Sequence, residues 1–143
     1  MMLGNFIRVV ASFSLALACS LGAMAVEQDS VDALLSESSR YLYSTPEKTV
    51  LPLAKLQVLQ STFTQAQREK YHHIYASSLG YRGRHEERIA LVQSFIGQVK
   101  TPGLRASFLY ELIDGSTALG QYEKALQAMN ESILLLPVLT ATG

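Results

Sequence analysis

Two glycines, Gly83 and Gly120, lie 37 residues apart in matching surroundings, and this internal repeat limits the chain to few folds. Each glycine follows an apolar segment with the three- and four-residue spacing of a helix. Each precedes a charged helix start, Gly-Arg-His-Glu-Glu in one case and Gly-Gln-Tyr-Glu-Lys in the other. A period of this length is typical of helix–turn–helix units, with the glycine in the turn. The repeat therefore predicts stacked helical hairpins.

The rest of the chain after Val26 has the same helical character. Long alternating runs of β-branched residues are absent from it, and glycines and prolines fall between the apolar segments. We predict an all-α fold of six helices in three antiparallel pairs joined by short loops, an α-solenoid of helical hairpins. The degenerate first pair covers residues 26–63, the middle pair 64–101 and the last pair 102–137. A short tail follows at 138–143.

Local signals mark several helix ends. Thr45 and Pro46 have the residue types of a helix cap and a first helical position. Pro52 lies inside the apolar pattern that follows, so it either kinks that helix or marks its start. Thr64 and Gln67 form the T-x-x-Q pattern of a capping box, which predicts a helix beginning between them.

Residues 1–25 have the three parts of a secretory signal peptide. Arg8 is their only charged residue, an uncharged apolar run follows it, and Ala23 and Ala25 form an A-x-A motif. We therefore expect cleavage after Ala25 and a periplasmic mature protein. Lipidation at Cys19 is one alternative. An uncleaved anchor is the other, because the apolar stretch at 9–26 is just long enough to cross a bilayer.

Composition excludes several classes of protein. Twelve basic and twelve acidic side chains give a net charge of zero, which provides no electrostatic footprint for nucleic acid or an acidic membrane surface. The hydrophobic fraction of 48% argues against disorder. A single cysteine excludes a disulfide scaffold and a cysteine-ligated zinc site.

The last pair resembles the tetratricopeptide repeat (TPR). That family's signature is a large apolar residue, a leucine, Gly-x-Tyr-x-x-Ala and a closing proline. The matching residues here are Leu109, Leu112, Gly120, Tyr122, Ala125 and Pro137. The resemblance implies that Tyr122 fills the space between the paired helices and that Ala125 is small where they approach most closely. It also implies that Pro137 ends the second helix.

Five positions depart from the TPR pattern. Ile113, Ser116 and Ser132 replace a small residue, an aromatic residue and an alanine in the last pair. In the middle pair, His85 replaces the tyrosine and Arg88 stands where a small residue is expected. The resemblance carries no catalytic residue, because the family motif is structural.

The arrangement as a whole is similar to the periplasmic sensor regions of bacterial membrane-bound diguanylate cyclases (GGDEF proteins) and related sensor kinases. In that family a transmembrane helix and a cytoplasmic GGDEF domain follow. The resemblance implies a role in signal transduction, with this chain as the sensor part of a longer protein. An array completed by another subunit is the alternative, because Ile133–Leu136 form an apolar end without a partner in the sequence.

Tyrosines on the first helix of each pair are the candidate binding residues. Tyr71, Tyr75 and Tyr110 fall at such positions, and first helices line the concave face of a solenoid. A tyrosine offers both apolar contact and a hydroxyl, as recognition surfaces need. The alternative is that these rings pack between helices.

Candidate catalytic groups are few. His72 and His73 are adjacent, so on a helix they diverge by about 100° and do not readily share one metal ion. His85, after the turn, is the third histidine. Glu86 and Glu87 with nearby arginines predict a solvated helix start with local ion pairs. Neither a G-x-S-x-G elbow nor a phosphate-binding glycine loop occurs in the sequence.

These patterns favour a non-enzymatic module that binds a protein, a peptide or a small ligand, without a metal or cofactor. One alternative is an envelope metal-binding protein or enzyme that uses His72, His73 and His85. Another is an assembly scaffold that associates with itself through the apolar Ile133–Leu136 end.

Overall fold

The computed structural model describes residues 30–141, and every regular element in that range is helical. The six α-helices are α1 (30–44), α2 (Val50–Val58), α3 (Gln65–Tyr81), α4 (His85–Phe95), α5 (Pro102–Ala118) and α6 (Tyr122–Ala141). Short 3-10 turns cover Pro46–Thr49, Gln60–Thr62 and Ile96–Gln98. The all-α prediction with six helices is thus confirmed for this range, whereas the predicted signal peptide lies outside the described residues. No helix within that range is long and apolar enough to cross a membrane.

Consecutive helices are neighbours in space. Helix α3 packs against α4, α4 against α5, and α5 against α6. Helix α3 also contacts α5 directly. The first helices of the middle and last pairs therefore lie side by side, with α4 packed against both of them.

The turns at Gly83 and Gly120 have the same backbone conformation. Both glycines are left-handed, with φ of 72° and 69°, a region that favours glycine because it lacks a β-carbon. Each turn is closed by the same pair of backbone hydrogen bonds, those of a Schellman motif. The four bonds are Arg84 N–H to Leu79 O (2.9 Å), Gln121 N–H to Ser116 O (2.7 Å), Gly83 N–H to Gly80 O (2.9 Å) and Gly120 N–H to Thr117 O (3.0 Å). The two hairpins are thus joined by equivalent turns 37 residues apart.

Two apolar clusters hold helices α1 to α5 together. The first lies between α1, α2 and α3 and contains Val31, Leu35, Leu53, Leu56, Phe63, Tyr71 and Ile74. The second lies between α3, α4 and α5 and contains Ala76, Val92, Phe95, Val99 and Phe108, with Leu104 and Leu112 packed against it. Helix α3 contributes to both clusters, so it is the element around which the chain is built.

The capping box and the first-position proline predicted from the sequence are confirmed, whereas Thr45 makes no side-chain cap hydrogen bond. Thr64 and Gln67 form a reciprocal capping box at the start of α3. Thr45 precedes the first 3-10 turn, with Pro46 at its first position. Pro52 is the third residue of α2, where its missing N–H costs no helical hydrogen bond.

Two roles implied by the TPR resemblance are wrong in the last pair. The ring of Tyr122 is 70% exposed, because it is the first residue of α6 and side chains tilt towards the helix N-terminus, past the end of α5. Pro137 does not end α6, which continues to Ala141. The proline removes one hydrogen bond to a preceding carbonyl, and the helix resumes after it. Ala125, by contrast, is buried.

Glu69 anchors the start of α3 to the loop before α5. Its carboxylate accepts hydrogen bonds from the side chain of Gln65 (2.8 Å) and the backbone N–H of Lys100 (2.9 Å). Burial raises the pKa of Glu69, but hydrogen bonds from Lys100, Gln65 and Thr101 outweigh it, so its pKa lies below the ordinary value. The ionised carboxylate thus fixes the distance between these two elements.

Candidate functional site

A groove runs along α1, α3 and α5 and consists of two adjoining cavities of about 440 Å³ and 480 Å³. Tyr43 of α1 and His73 of α3 line both cavities. We call the whole the α1/α3/α5 groove. The smaller cavity is its polar end, and its lining includes Ser77, Arg88, Tyr110, Glu111 and Asp114. The larger cavity is its apolar end, lined by Leu42, Ile74 and Leu104 with Lys70 beside them.

A buried ion pair forms the floor of the polar end. Arg88 of α4 donates from Nη1 to Oε2 of Glu111 on α5 at 3.1 Å, and the two side chains are only 4% and 7% exposed. Arg88 Nη2 also donates to Oδ2 of Asp114 at 2.6 Å. Asp114 is half exposed, so one carboxylate of this cluster faces the groove opening. The single arginine holds two carboxylates in place.

Two glycines leave the space in which Arg88 lies. A β-carbon on Gly80 of α3 would overlap the guanidinium, and one on Gly115 of α5 would lie 3.1 Å from Arg88 Nε. A long charged side chain is therefore accommodated between two helices at a position where the repeat pattern predicts a small one. Its charge is compensated by Glu111 and Asp114, as burial of an ion requires.

Glu111 also joins α3 to α5 across the groove floor. Its Oε1 accepts a hydrogen bond from the hydroxyl of Ser77 and lies 3.7 Å from Nε2 of His73. Burial lowers the pKa of His73 more strongly than the charge of Glu111 raises it, so its pKa lies below the ordinary value. We therefore treat His73 as neutral near pH 7, and the polar end carries one positive and two negative charges.

Exposed aromatic rings surround the polar end of the groove, where negative charges outnumber positive ones. Tyr43 and Tyr81 form an edge-to-face pair with ring centroids 6.4 Å apart. Tyr110 lies on α5, one position before Glu111. All three rings line the polar end and are more than half exposed. The polar end thus combines carboxylates with aromatic faces, which are two groups that attract cations.

Only one of the three predicted binding tyrosines lies in the groove. Tyr110 lines the polar end, as described above. Tyr71 is 2% exposed and packs against Phe63 with ring centroids 5.5 Å apart. Tyr75, four residues later on the same face of α3, lines with Tyr71 a small cavity beside α2. Both residues were predicted to lie on a binding face, but Tyr71 is buried as the packing alternative has it, and the face of α3 that carries the two rings is turned towards α2.

Ser77, Glu111 and Asp114 at the groove floor were missed by the sequence patterns. Glu111 and Asp114 are three positions apart on one face of α5, and His73 and Ser77 are four apart on α3. One signal was available, because Arg88 replaces a small residue of the repeat. The matching signal was that Gly80 occurs inside a helical segment, where glycine is unfavourable without a packing reason.

The three histidines lie in different surroundings. His72 stacks on Phe95 with centroids 4.0 Å apart, and burial, with a smaller effect from the charge of Arg68, lowers its pKa to about 4. His73 faces Glu111, whereas Nδ1 of His85 lies 3.0 Å from Arg88 Nη2. Within residues 30–141, no group of three or more His, Cys, Asp or Glu could hold a metal ion.

Ser77, His73 and Glu111 have the residue types of a catalytic triad but a different geometry. In a triad the serine donates to the histidine, and the acid orients that histidine. Here the hydroxyl of the buried Ser77 donates directly to Glu111. The carboxylate therefore binds the serine hydroxyl, and the arrangement does not generate a nucleophile.

Comparison of the sequence with protein-family models and with curated proteins, and of the structure with solved structures, finds no match. The groove's own chemistry is therefore the basis for assigning a function.

Proposed function

We propose that this protein is a non-catalytic binding module that takes an extended segment of a protein or peptide in the α1/α3/α5 groove. The observation that carries this proposal is that helices α1, α3 and α5 line both cavities of the groove, the polar one and the apolar one. A surface with apolar contacts and a few fixed polar groups suits a ligand with both kinds of side chain.

The chemistry of the polar end favours a segment that carries a basic side chain. Two carboxylates oppose one arginine there, and the exposed carboxylate of Asp114 is accessible from solvent. Tyr110 adds an exposed aromatic face beside it. A lysine or arginine of the ligand would gain both an ion pair and a cation–π contact.

We further propose that the module acts in the bacterial periplasm as the sensor part of a signalling protein of the TPR type, such as a membrane-bound diguanylate cyclase. The signal-peptide pattern at the N-terminus and the repeated glycine turns support this proposal. Amino-terminal sequencing of the chain recovered from the periplasm tests the first part, and a start at Val26 is expected. The nucleotide sequence downstream of Gly143 tests the second part. A membrane span and a GGDEF domain there would support it.

The groove is tested with a random peptide library displayed on phage. Peptides selected on the immobilised protein are expected to be enriched in lysine and arginine. Calorimetry with a selected peptide should show at least a roughly tenfold loss of affinity in Tyr110→Ala and in Asp114→Asn. Leu51→Ala, an exposed apolar residue on α2 that does not line the groove, is the matched control and should bind as the parent does. Selected peptides that bind both groove variants with unchanged affinity would refute the proposal.

A further inference from the structure

Helix α6 presents a continuous row of large apolar side chains to solvent. Tyr122, Leu126, Met129, Ile133 and Leu136 recur at intervals of four, three, four and three residues. Each of them is between 43% and 70% exposed. We call this row the α6 stripe. Its spacing is that of the seam along which two helices of a coiled coil pack.

The middle hairpin, α3 and α4, shows what covers the equivalent surface there. A shift of 37 residues relates Leu126 and Met129 to Ile89 and Val92 of α4, and Ile133 to Ile96, which directly follows α4. Ile89 and Val92 are buried, and Ile96 packs against the cluster that α4 shares with α5. On α4, then, these register positions are covered by a neighbouring helix, whereas on α6 the equivalent positions are open.

We propose that the α6 stripe is a self-association surface, on which α6 of a second copy of this chain packs in antiparallel orientation about a two-fold axis near Met129. A two-fold axis allows the same surface on both copies to cover itself. The exposed parts of the five side chains amount to roughly 500 Å² per copy, so the pair would bury on the order of 1,000 Å², the lower limit for a specific interface.

The charges on α6 favour this orientation. Glu123 and Lys124 lie at its N-terminal end. The third charged residue, Glu131, is already paired with Arg105 at 2.6 Å. Antiparallel packing places the charged N-terminal ends of the two helices far apart, whereas parallel packing would bring both of them to the same end of the pair. The stripe itself contains no charged residue that a second copy would desolvate.

Sedimentation of the full processed chain over a wide concentration range tests the proposal. A monomer–dimer equilibrium is expected, and Leu126→Glu and Ile133→Glu should each weaken the dimer on the order of a hundredfold. Val58→Glu, at an 82% exposed apolar position on α2, is the matched control and should leave the dimer unchanged. Circular dichroism checks that the glutamate variants fold as the parent does, which is expected because the replaced side chains are exposed. A parent chain that is monomeric throughout, or a dimer that both stripe variants retain, overturns the proposal.

Cross-linking tests the orientation independently of affinity. In the antiparallel pair, Met129→Cys should be joined efficiently to its copy by a short bismaleimide. Tyr122→Cys should not, because its two copies would lie roughly 20 Å apart along the helices. The parent chain, which contains no cysteine once residues 1–25 are removed, is the control. Efficient linkage of Tyr122→Cys would contradict the antiparallel arrangement, and linkage of neither variant would contradict the interface.

Discussion

The guanidinium of Arg88 lies beside Gly80, in space that a β-carbon on that glycine would occupy. The two residues are on different helices, α4 and α3. Together they allow a charged side chain to reach Glu111 through the middle of the helical stack. The pair therefore couples the packing of three helices to the charge of the groove floor.

Gly80→Ala should destabilise the protein although alanine is the better helix former. We expect a loss of about 2 kcal/mol in the free energy of unfolding, because the methyl group forces Arg88 away from its carboxylates. Gly103→Ala is the control, since a β-carbon there meets nothing within 4 Å. It should stabilise by about 0.5–1 kcal/mol. Urea denaturation measures both, and equal stabilisation by the two substitutions would show that the space around Gly80 is not limiting.

Removing one partner of the buried ion pair should lower the free energy of unfolding more than removing both partners. Arg88→Met leaves Glu111 buried without its cation, and Glu111→Leu leaves the arginine with the exposed Asp114 alone. We expect the first variant to lose about 3–5 kcal/mol, and the double variant to lose clearly less than the sum of the two. A double-mutant cycle from denaturation curves gives the coupling energy. Additive losses would mean that the two side chains do not act as a pair.

The two turn glycines should respond equally to substitution. Gly83→Ala and Gly120→Ala each place a β-carbon in the left-handed region, at an expected cost of about 1–2 kcal/mol. Because both turns have the same hydrogen bonds, the two losses should agree within about 0.5 kcal/mol. Thermal and urea unfolding measure the losses. A large loss at one turn and none at the other would contradict the equivalence of the hairpins.

Stability should decrease as the pH falls from about 6.5 towards 4. Burial lowers the pKa of His72 to about 4, below its ordinary value of 6.5, so the unfolded chain binds more protons within that range. The lowered pKa of His73 acts in the same direction. We expect His72 to contribute a loss on the order of 2 kcal/mol. His72→Phe, which keeps a ring on Phe95 but does not titrate, should flatten the dependence in urea titrations at several pH values. An unchanged slope in that variant would assign the effect to other groups.

The sequence predicted the local features of this fold well. Apolar spacing located the helices, and glycine and capping patterns located the turn at Gly120 and the start of α3, because these depend on residues close together in the chain. The groove floor depends on contacts across 23 residues or more, such as that of Arg88 with Glu111. No local pattern encodes such contacts. Tyr71 and Tyr122 were misplaced for a related reason, since which face of a helix is covered depends on its neighbours.

The backbone hydrogen bonds that close the two turns have a consequence for how far the side chains of the two units can differ. Since main-chain atoms set the angle of each hairpin, side chains at matching positions are free to acquire different tasks. Positions 88 and 125 illustrate this freedom, with a buried arginine in one unit and a buried alanine in its counterpart. One unit thus holds a charged group at this position and the other a small packing residue, although both units have the same turn.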